Sequence, residues 1–440
     1  MAGATTETED INIIREVIDH GPVVPTQILV VVIALLLNML DGFDVTAMAF
    51  TAHSIGEQLG ISPDQLGIVF SVALAGMMIG AMFIAPISDV IGRRNMILIC
   101  VTAIGTSMYV TGYAVSLWQL VVLRLITGLG VGGMLASLAA ITAEYTPEKY
   151  RSLAVVSVTA GYPLGAMLGG FIAAPLIPAF GWESVFFAGG AATLAMVIAV
   201  YFLMPESLQY LATKQPANAL HNFNAVLKRL GRTPIAALPA IDPRKHGDKA
   251  NVLSLLTEAR RGKTINLWLT FFFCFICLYF LMSWIPKLVV NAGLSETQGV
   301  YAAVAFNGGA VVGIVCLGYM ATRIGLSALI GTFLSTSALG MIIFAFADGV
   351  DNLILYLLVI GFLLQGGFTG LYAVAAKIYP TELRSTGVGW AIGLGRFGAV
   401  VGPYIGGIMI ASDVSMEINF VVFAVPLFIA GCLAYRLRVR

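Results

Sequence analysis

Twelve runs of mostly apolar residues, each long enough to cross a bilayer, punctuate the chain at roughly 26–50, 64–88, 95–115, 117–143, 151–178, 183–204, 263–290, 297–321, 327–347, 351–377, 384–411 and 417–437. A hydrocarbon core about 30 Å thick needs about 20 helical residues to span it. Inside that core every backbone polar group must find its partner within the chain, so runs of this length fold as helices. Composition agrees: 59% of residues are hydrophobic and 11% are charged, with a mean hydropathy of +0.92. Soluble domains carry about 25% charged residues. A soluble enzyme, a disordered chain and a nucleic-acid-binding protein are thereby excluded. The expectation is an all-α membrane protein whose surroundings are the lipid bilayer.

A polar segment at 205–262 divides the runs six and six, and holds Lys214, Lys228, Arg229, Arg232, Arg244, Lys245, Lys249, Arg260 and Arg261. The expected organisation is a polar tail over 1–25, a six-helix bundle over 26–204, a basic linker over 205–262, a second bundle over 263–437 and a short tail over 438–440. The first 24 residues carry Glu7, Glu9, Asp10, Glu16 and Asp19 against one basic side chain, Arg15, unlike a cleavable signal peptide. Loops on the side of the termini collect the Lys and Arg residues, while the opposite side receives only Lys287. The positive-inside bias predicts cytoplasmic termini.

The halves repeat. At one offset of 233 positions, Gly80 meets Gly313, Gly128 meets Gly361, Gly133 meets Gly366, Gly165 meets Gly398 and Gly169 meets Gly402. Pro147, Arg151 and Ser152 meet Pro380, Arg384 and Ser385. Two parallel six-helix repeats related by an axis along the membrane normal place a substrate site between them, near mid-depth.

Ionisable residues inside such helices are costly and mark function. Asp41 and Asp44 stand one helical turn apart in the first run and share a face. They are candidates for proton coupling; the plainer alternative is a pair of acids braced by an Arg. Arg124 lies at a depth matching Asp41, so a contact between the first and fourth helices is open, as is a role in binding an anionic substrate. Arg396 lies near mid-depth of the eleventh run with no carboxylate in its own helix, and suits a substrate carboxylate or, structurally, Asp41 or Asp44. Near the inner face, Asp89, Gly92, Arg93 and Arg94 join the second and third helices. With Glu144 and Arg151, and with Arg384 in the second half, they read as gating pairs, or more plainly as ordinary positive-inside charge. Tyr279, Asn307, Gln365, Trp390 and Tyr404 could line a cavity, although packing is the plainer role for each singly.

The Asp89/Gly92/Arg93/Arg94 loop, twelve runs and duplicated Pro–Arg segments resemble the major facilitator superfamily along the whole chain from about residue 25. Asp41-Gly42-Phe43-Asp44 is similar to the helix-one signature of its aromatic acid:proton symporters. That resemblance implies uptake of a small aromatic carboxylate such as a hydroxybenzoate with protons, by alternating access, in a bacterial inner membrane. It implies Asp41 and Asp44 as coupling residues and Arg124, Glu144 and Arg396 as further functional positions. Two departures stand out: Val90 follows Asp89 where the superfamily usually has a basic residue, and Thr322 faces Asp89 in the second half.

Other signals are discounted. Gly128, Gly130, Gly132 and Gly133 sit inside an apolar run, where close helix packing explains them better than a nucleotide site. The four His are scattered, and the Cys274/Cys277 pair lies among Phe residues. No metal and no cofactor are expected, and a monomer is expected to suffice. Rival readings are a proton-coupled exporter of aromatic compounds, a carrier of another organic anion and, in a different class, a membrane-embedded enzyme, for which no catalytic constellation is found.

Overall fold

A computed structural model of the chain describes residues 18–19, 23–238, 252–258, 260–346 and 352–437. Most of the expected N-terminal tail, residues 438–440 and the side chain of Arg384 lie outside the described residues. Twelve long helices follow one another. The first half holds α1 (Pro25–Leu59), α2 (Pro63–Ile91), α3 (Arg93–Thr111), α4 (Leu117–Tyr145), α5 (Glu148–Phe180) and α6 (Glu183–Leu203). The second holds α7 (Arg261–Asn291), α8 (Glu296–Met320), α9 (Leu326–Phe346), α10 (Leu353–Ile378), α11 (Thr381–Ala411) and α12 (Met416–Arg436). Two short helices, Leu208–Lys214 and Ala219–Arg229, occupy the segment between the halves. Eleven of the described helices are long and apolar enough to cross a membrane. The other, α3, opens on Arg93, Arg94 and Asn95, which lower its hydropathy, yet it packs as a full member between α4 and α6.

The packing scheme repeats with a step of six helices. In the first bundle α1 packs on α5 and α6, α2 on α4, and α3 on α4 and α6. In the second, α7 packs on α11 and α12, α8 on α10, and α9 on α10 and α12. The glycine repeat is the cause. A Cβ on Gly165 would stand 1.9 Å from the Met39 carbonyl oxygen, and one on Gly398 would stand 2.2 Å from that of Phe272. Gly128 meets the Ala73 carbonyl as Gly361 meets that of Phe306, and Gly80 meets Leu129 as Gly313 meets Phe362. Both members of each contact recur at the offset of 233. Without a hydrophobic drive between helices in lipid, such backbone-to-backbone approach supplies the association. The helix starts repeat too. Ser62 and Gln65 form a capping box on α2, and Ser295 and Gln298 form its counterpart on α8, again 233 positions on.

The end of the molecule at which α1 begins and α12 finishes is here termed proximal, and the other distal. The bundles meet through α2 with α11, α5 with α8, and α1 with α7. Distally, the Ser54 hydroxyl donates to Glu296 Oε1 at 2.6 Å, and the Ser71 hydroxyl to the Val400 carbonyl at 2.7 Å. Gly67 lies against Pro403 and Gly407, Gly170 against Val300 and Val304, and Phe70 meets Trp284 edge-on at 5.2 Å. Among the described residues no hydrogen bond or ion pair joins the bundles across their proximal ends. The molecule is closed distally and parted proximally.

Replacing Gly165 with Val forces a side chain into the Met39 carbonyl, an overpacking strain of about 1–3 kcal/mol. Gly318→Ala enters open space and is expected to stay within about 0.5 kcal/mol of the parent. Thermal unfolding in detergent should show the first variant clearly destabilised and the second unchanged.

Candidate functional site

One face of α11 carries Gly389, Gly393, Arg396, Val400, Pro403 and Gly407 at helical spacing. Its distal members, Val400, Pro403 and Gly407, pack on α2. Around a Cβ on Gly389 or Gly393 there is nothing within 4 Å. Arg396 therefore stands where the closed contact ends and the proximal opening begins. It is half-buried and makes no hydrogen bond or ion pair among the described residues. Its guanidinium acts electrostatically on Asp41, Tyr162, Tyr279 and Tyr372. Two helices of the first bundle and three of the second thus converge on one cluster.

Asp41 is the acidic member. Gly42, its neighbour, abuts the Tyr162 carbonyl so tightly that a Cβ would lie 1.9 Å from it, which draws α1 and α5 together at this level. Both Asp41 carboxylate oxygens are buried without a hydrogen-bond partner, and the Tyr162 hydroxyl lies beside that of Tyr279. On the second-bundle side the cluster is walled by rings. Phe275 stacks on Tyr279 at 5.7 Å and meets Phe368 edge-on at 4.8 Å, while Phe271 meets Tyr372 at 5.4 Å.

Asp44 and Arg124 form a buried ion pair one helical turn from Asp41, on which the Asp44 charge also acts. Arg124 Nη1 donates to Asp44 Oδ1 at 2.9 Å, both side chains are buried, and Nη2 reaches the Thr111 hydroxyl at 3.3 Å. The guanidinium also lies over the Phe186 ring at 5.3 Å. The depth argument matched Arg124 to Asp41; the partner is Asp44, one turn further along the same face of α1. Its charge is thus already answered by a protein carboxylate.

The remaining expected residues divide. Asn307 is buried on α8, its Nδ2 donating to the Ala303 carbonyl at 2.9 Å and its Oδ1 unpartnered. Gln365 is buried on α10. Trp390 and Tyr404 are 40% and 45% exposed and are not brought into the cluster. Trp390 instead meets Trp268 of α7 at 6.3 Å. Gly395, Gly398, Gly402 and Gly406 face α7, and Tyr404 stands about 200° around the helix from Gly402. Sequence reading missed Tyr162 and Tyr372. The only available signal for Tyr162 was its place beside Gly161 and Gly165 in the repeated stripe.

The proximal charges assemble within the first bundle. Arg93 pairs with Glu144, whose other oxygen accepts from the Ser207 hydroxyl at 2.5 Å. Gly92, at φ 99°, turns the chain from α2 into α3. Glu206 Oε1 then accepts from the Arg94 and Ser207 backbone N–H groups at 3.0 and 2.8 Å. Arg151 pairs with Asp19 at 3.7 Å. Asp89 is exposed, with no ion pair among the described residues. The contact that does cross between bundles is distal, and sequence reading did not assign it. Lys287 of α7, 9% exposed, stands within electrostatic reach of Glu57 on α1 and Glu296 on α8.

Removing one partner of the inner ion pair strands a buried charge, at a cost of about 3–5 kcal/mol. Asp44→Asn or Arg124→Gln alone is expected to destabilise strongly, and the double variant to recover part of the loss. A double-mutant cycle on unfolding midpoints checks the coupling.

Comparison with known proteins follows the same line. The model of the Major Facilitator Superfamily matches residues 34–316 and 267–440. The chain is 33% identical over 419 residues to the gallate transporter of Pseudomonas putida, covering 95% of this chain and 93% of the relative. It is 31% identical over 418 residues to the 4-hydroxybenzoate transporter PcaK of Acinetobacter baylyi, covering 94% and 91%. Among solved structures, the xylose transporter XylE from E. coli in its inward open conformation aligns with a TM-score of 0.71 at 17% identity, over 92% of this chain and 95% of that one. A bacterial homologue of the lysosomal transporter Spinster aligns at 0.73 and 16% identity, over 94% and 97%. The twelve helices, their two-fold packing and these matches agree: the chain is a multi-pass membrane transporter that belongs to the major facilitator superfamily.

Proposed function

We propose that the protein imports a small aromatic carboxylate, of the hydroxybenzoate type, in symport with protons across a bacterial inner membrane. The observation that carries this reading is the unpaired Arg396 at the closed-to-open boundary between the bundles, facing the unpaired Asp41. A guanidinium matches a carboxylate with two parallel N–H donors, and Arg does not lose its charge. Tyr279, Phe275 and Phe368 offer ring faces and edges to an aromatic ring. The names of the relatives, transporters of gallate and of 4-hydroxybenzoate, support the substrate class.

Charge balance supplies the coupling. With the Asp44–Arg124 pair closed on itself, Arg396 and ionised Asp41 leave the empty site neutral. A substrate anion alone makes it net negative, and a proton on Asp41 alone makes it net positive. Anion and proton together restore neutrality. Half-loaded states therefore bury an uncompensated charge, at several kcal/mol, and reorient poorly. One proton per anion is electroneutral, so the pH gradient drives it. Each further proton adds the membrane potential, about 2.3 kcal/mol per 100 mV.

Both termini lie in the cytoplasm on this reading, as the positive-inside bias requires. The parted proximal side then faces the cytoplasm, and the Lys287–Glu57–Glu296 group with the Ser54–Glu296 bond closes the outer side. The Arg93–Glu144 pair keeps the proximal end of the first bundle rigid and ready to meet the second. A monomer suffices, because both halves of the site come from one chain.

Two outcomes test this. In proteoliposomes with an imposed pH gradient, Asp41→Asn is expected to abolish 4-hydroxybenzoate accumulation while keeping counterflow exchange. Arg396→Lys is expected to weaken binding about tenfold or more, at least 1.4 kcal/mol by titration calorimetry. Unaltered affinity would move the anion site elsewhere. For the outer closure, Lys287→Gln is expected to increase labelling of a cysteine at Ser71 by a membrane-impermeant maleimide, in a background lacking the native cysteines. Unchanged labelling would remove Lys287 from the closure.

A further inference from the structure

At the proximal end of α3 and α6, outside the central cluster, lies a cavity of about 390 Å³. Its walls come from the first turn of α3, the end of α6 and the amphipathic helix Ala219–Arg229. Two guanidiniums, Arg94 and Arg229, line it. Arg94 donates to the Tyr201 carbonyl and lies over the Tyr201 ring at 5.4 Å, while its Nε–H is buried without a partner. Glu206 Oε1 accepts from the N–H groups of Arg94 and Ser207, and its charge offsets one of the two guanidiniums. The cavity thus presents positive charge and a free donor.

Its position in the fold identifies the kind of anion. Tyr201 and Phe202, 57% and 65% exposed, form the last turn of the membrane-spanning α6 beside the cavity mouth. Aromatic side chains at that level mark the bilayer interface. The helix Ala219–Arg229 packs Phe223, Val226 and Leu227 into the protein core and carries Lys228 and Arg229, both exposed, in its last turn. Thr26, in the first turn of α1, donates to the Arg229 carbonyl at 3.0 Å and fixes that end of the helix to the bundle. A phosphodiester seated between Arg94 and Arg229 would have its acyl chains leave along Tyr201 and Phe202 into lipid.

We infer that this cavity binds the phosphodiester headgroup of an anionic phospholipid from the proximal leaflet, pinning the linker helix to the ends of α3 and α6. The volume lies within the range of small-ligand sites. The site is independent of the aromatic-acid reading, since neither guanidinium belongs to the central cluster.

The test uses the full-length chain purified in detergent, with its unfolding midpoint followed as lipid is added. Phosphatidylglycerol is expected to raise the midpoint saturably, with phosphatidylcholine and millimolar inorganic phosphate giving no shift. Arg229→Gln, an exposed position that leaves the fold intact, is expected to raise the half-saturating phosphatidylglycerol concentration tenfold or more. Lys228→Gln, which removes the same charge from the neighbouring residue outside the cavity, is expected to leave it unchanged. A shift of equal size with phosphatidylcholine, the same shift with inorganic phosphate alone, or equal losses in the two variants would each overturn the assignment.

Discussion

A charged side chain in the middle of a membrane bundle needs a partner, and the central problem for this chain is that it holds two acids and two guanidiniums there. Asp44 and Arg124 answer each other at 2.9 Å and drop out of the balance. Asp41 and Arg396 do not pair; they remain within electrostatic reach, one on each bundle. On the proposed reading, one further anion and one further proton keep that balance neutral, because a half-loaded site would bury an uncompensated charge. The two arginines differ accordingly: Arg124 is paired with Asp44, and Arg396 has no ion pair among the described residues.

Holding those groups at the boundary between two bodies is the task of the scaffold. Glycines at matched positions bring α1 onto α5 and α7 onto α11 through backbone contact, with both partners of each contact repeated 233 positions later. The bundles are thereby stiff inside and are joined by a narrower set of distal contacts, among them Ser54–Glu296 and Ser71–Val400. Along α11 the face turned to the first bundle changes from packed on α2 to open at Arg396.

Most of the fold was legible in the sequence, because span length, loop charge and the repeat are each local signals. α3 is the instructive element: its opening arginines lower its apolarity, yet the repeat demands a helix there and packing supplies it. The site was legible to the extent that buried charge announces itself, which singled out Asp41, Asp44, Arg124 and Arg396. Which acid meets which arginine was not legible, since one helical turn separates Asp41 from Asp44 and depth counting resolves no better. Trp390 and Tyr404 lie outside the cluster for reasons of packing: Trp390 meets Trp268 of α7, and Tyr404 points away from the face that the α11 glycines give to α7. Tyr162 and Tyr372 carry no charge and stand out only once the helices are packed. Lys287 was visible as an outer-side exception to the charge bias, but its two acidic neighbours come from helices remote in sequence.

Proton uptake on ligand binding tests the central claim most directly. With the purified chain in weakly buffered, mildly alkaline solution, an indicator dye reports protons taken up as 4-hydroxybenzoate is added. The account predicts about one proton bound per anion in the parent protein and none in Asp41→Asn, with the anion still held by Arg396. Undiminished proton uptake in Asp41→Asn would contradict it, because the group that answers the substrate's charge would then lie elsewhere.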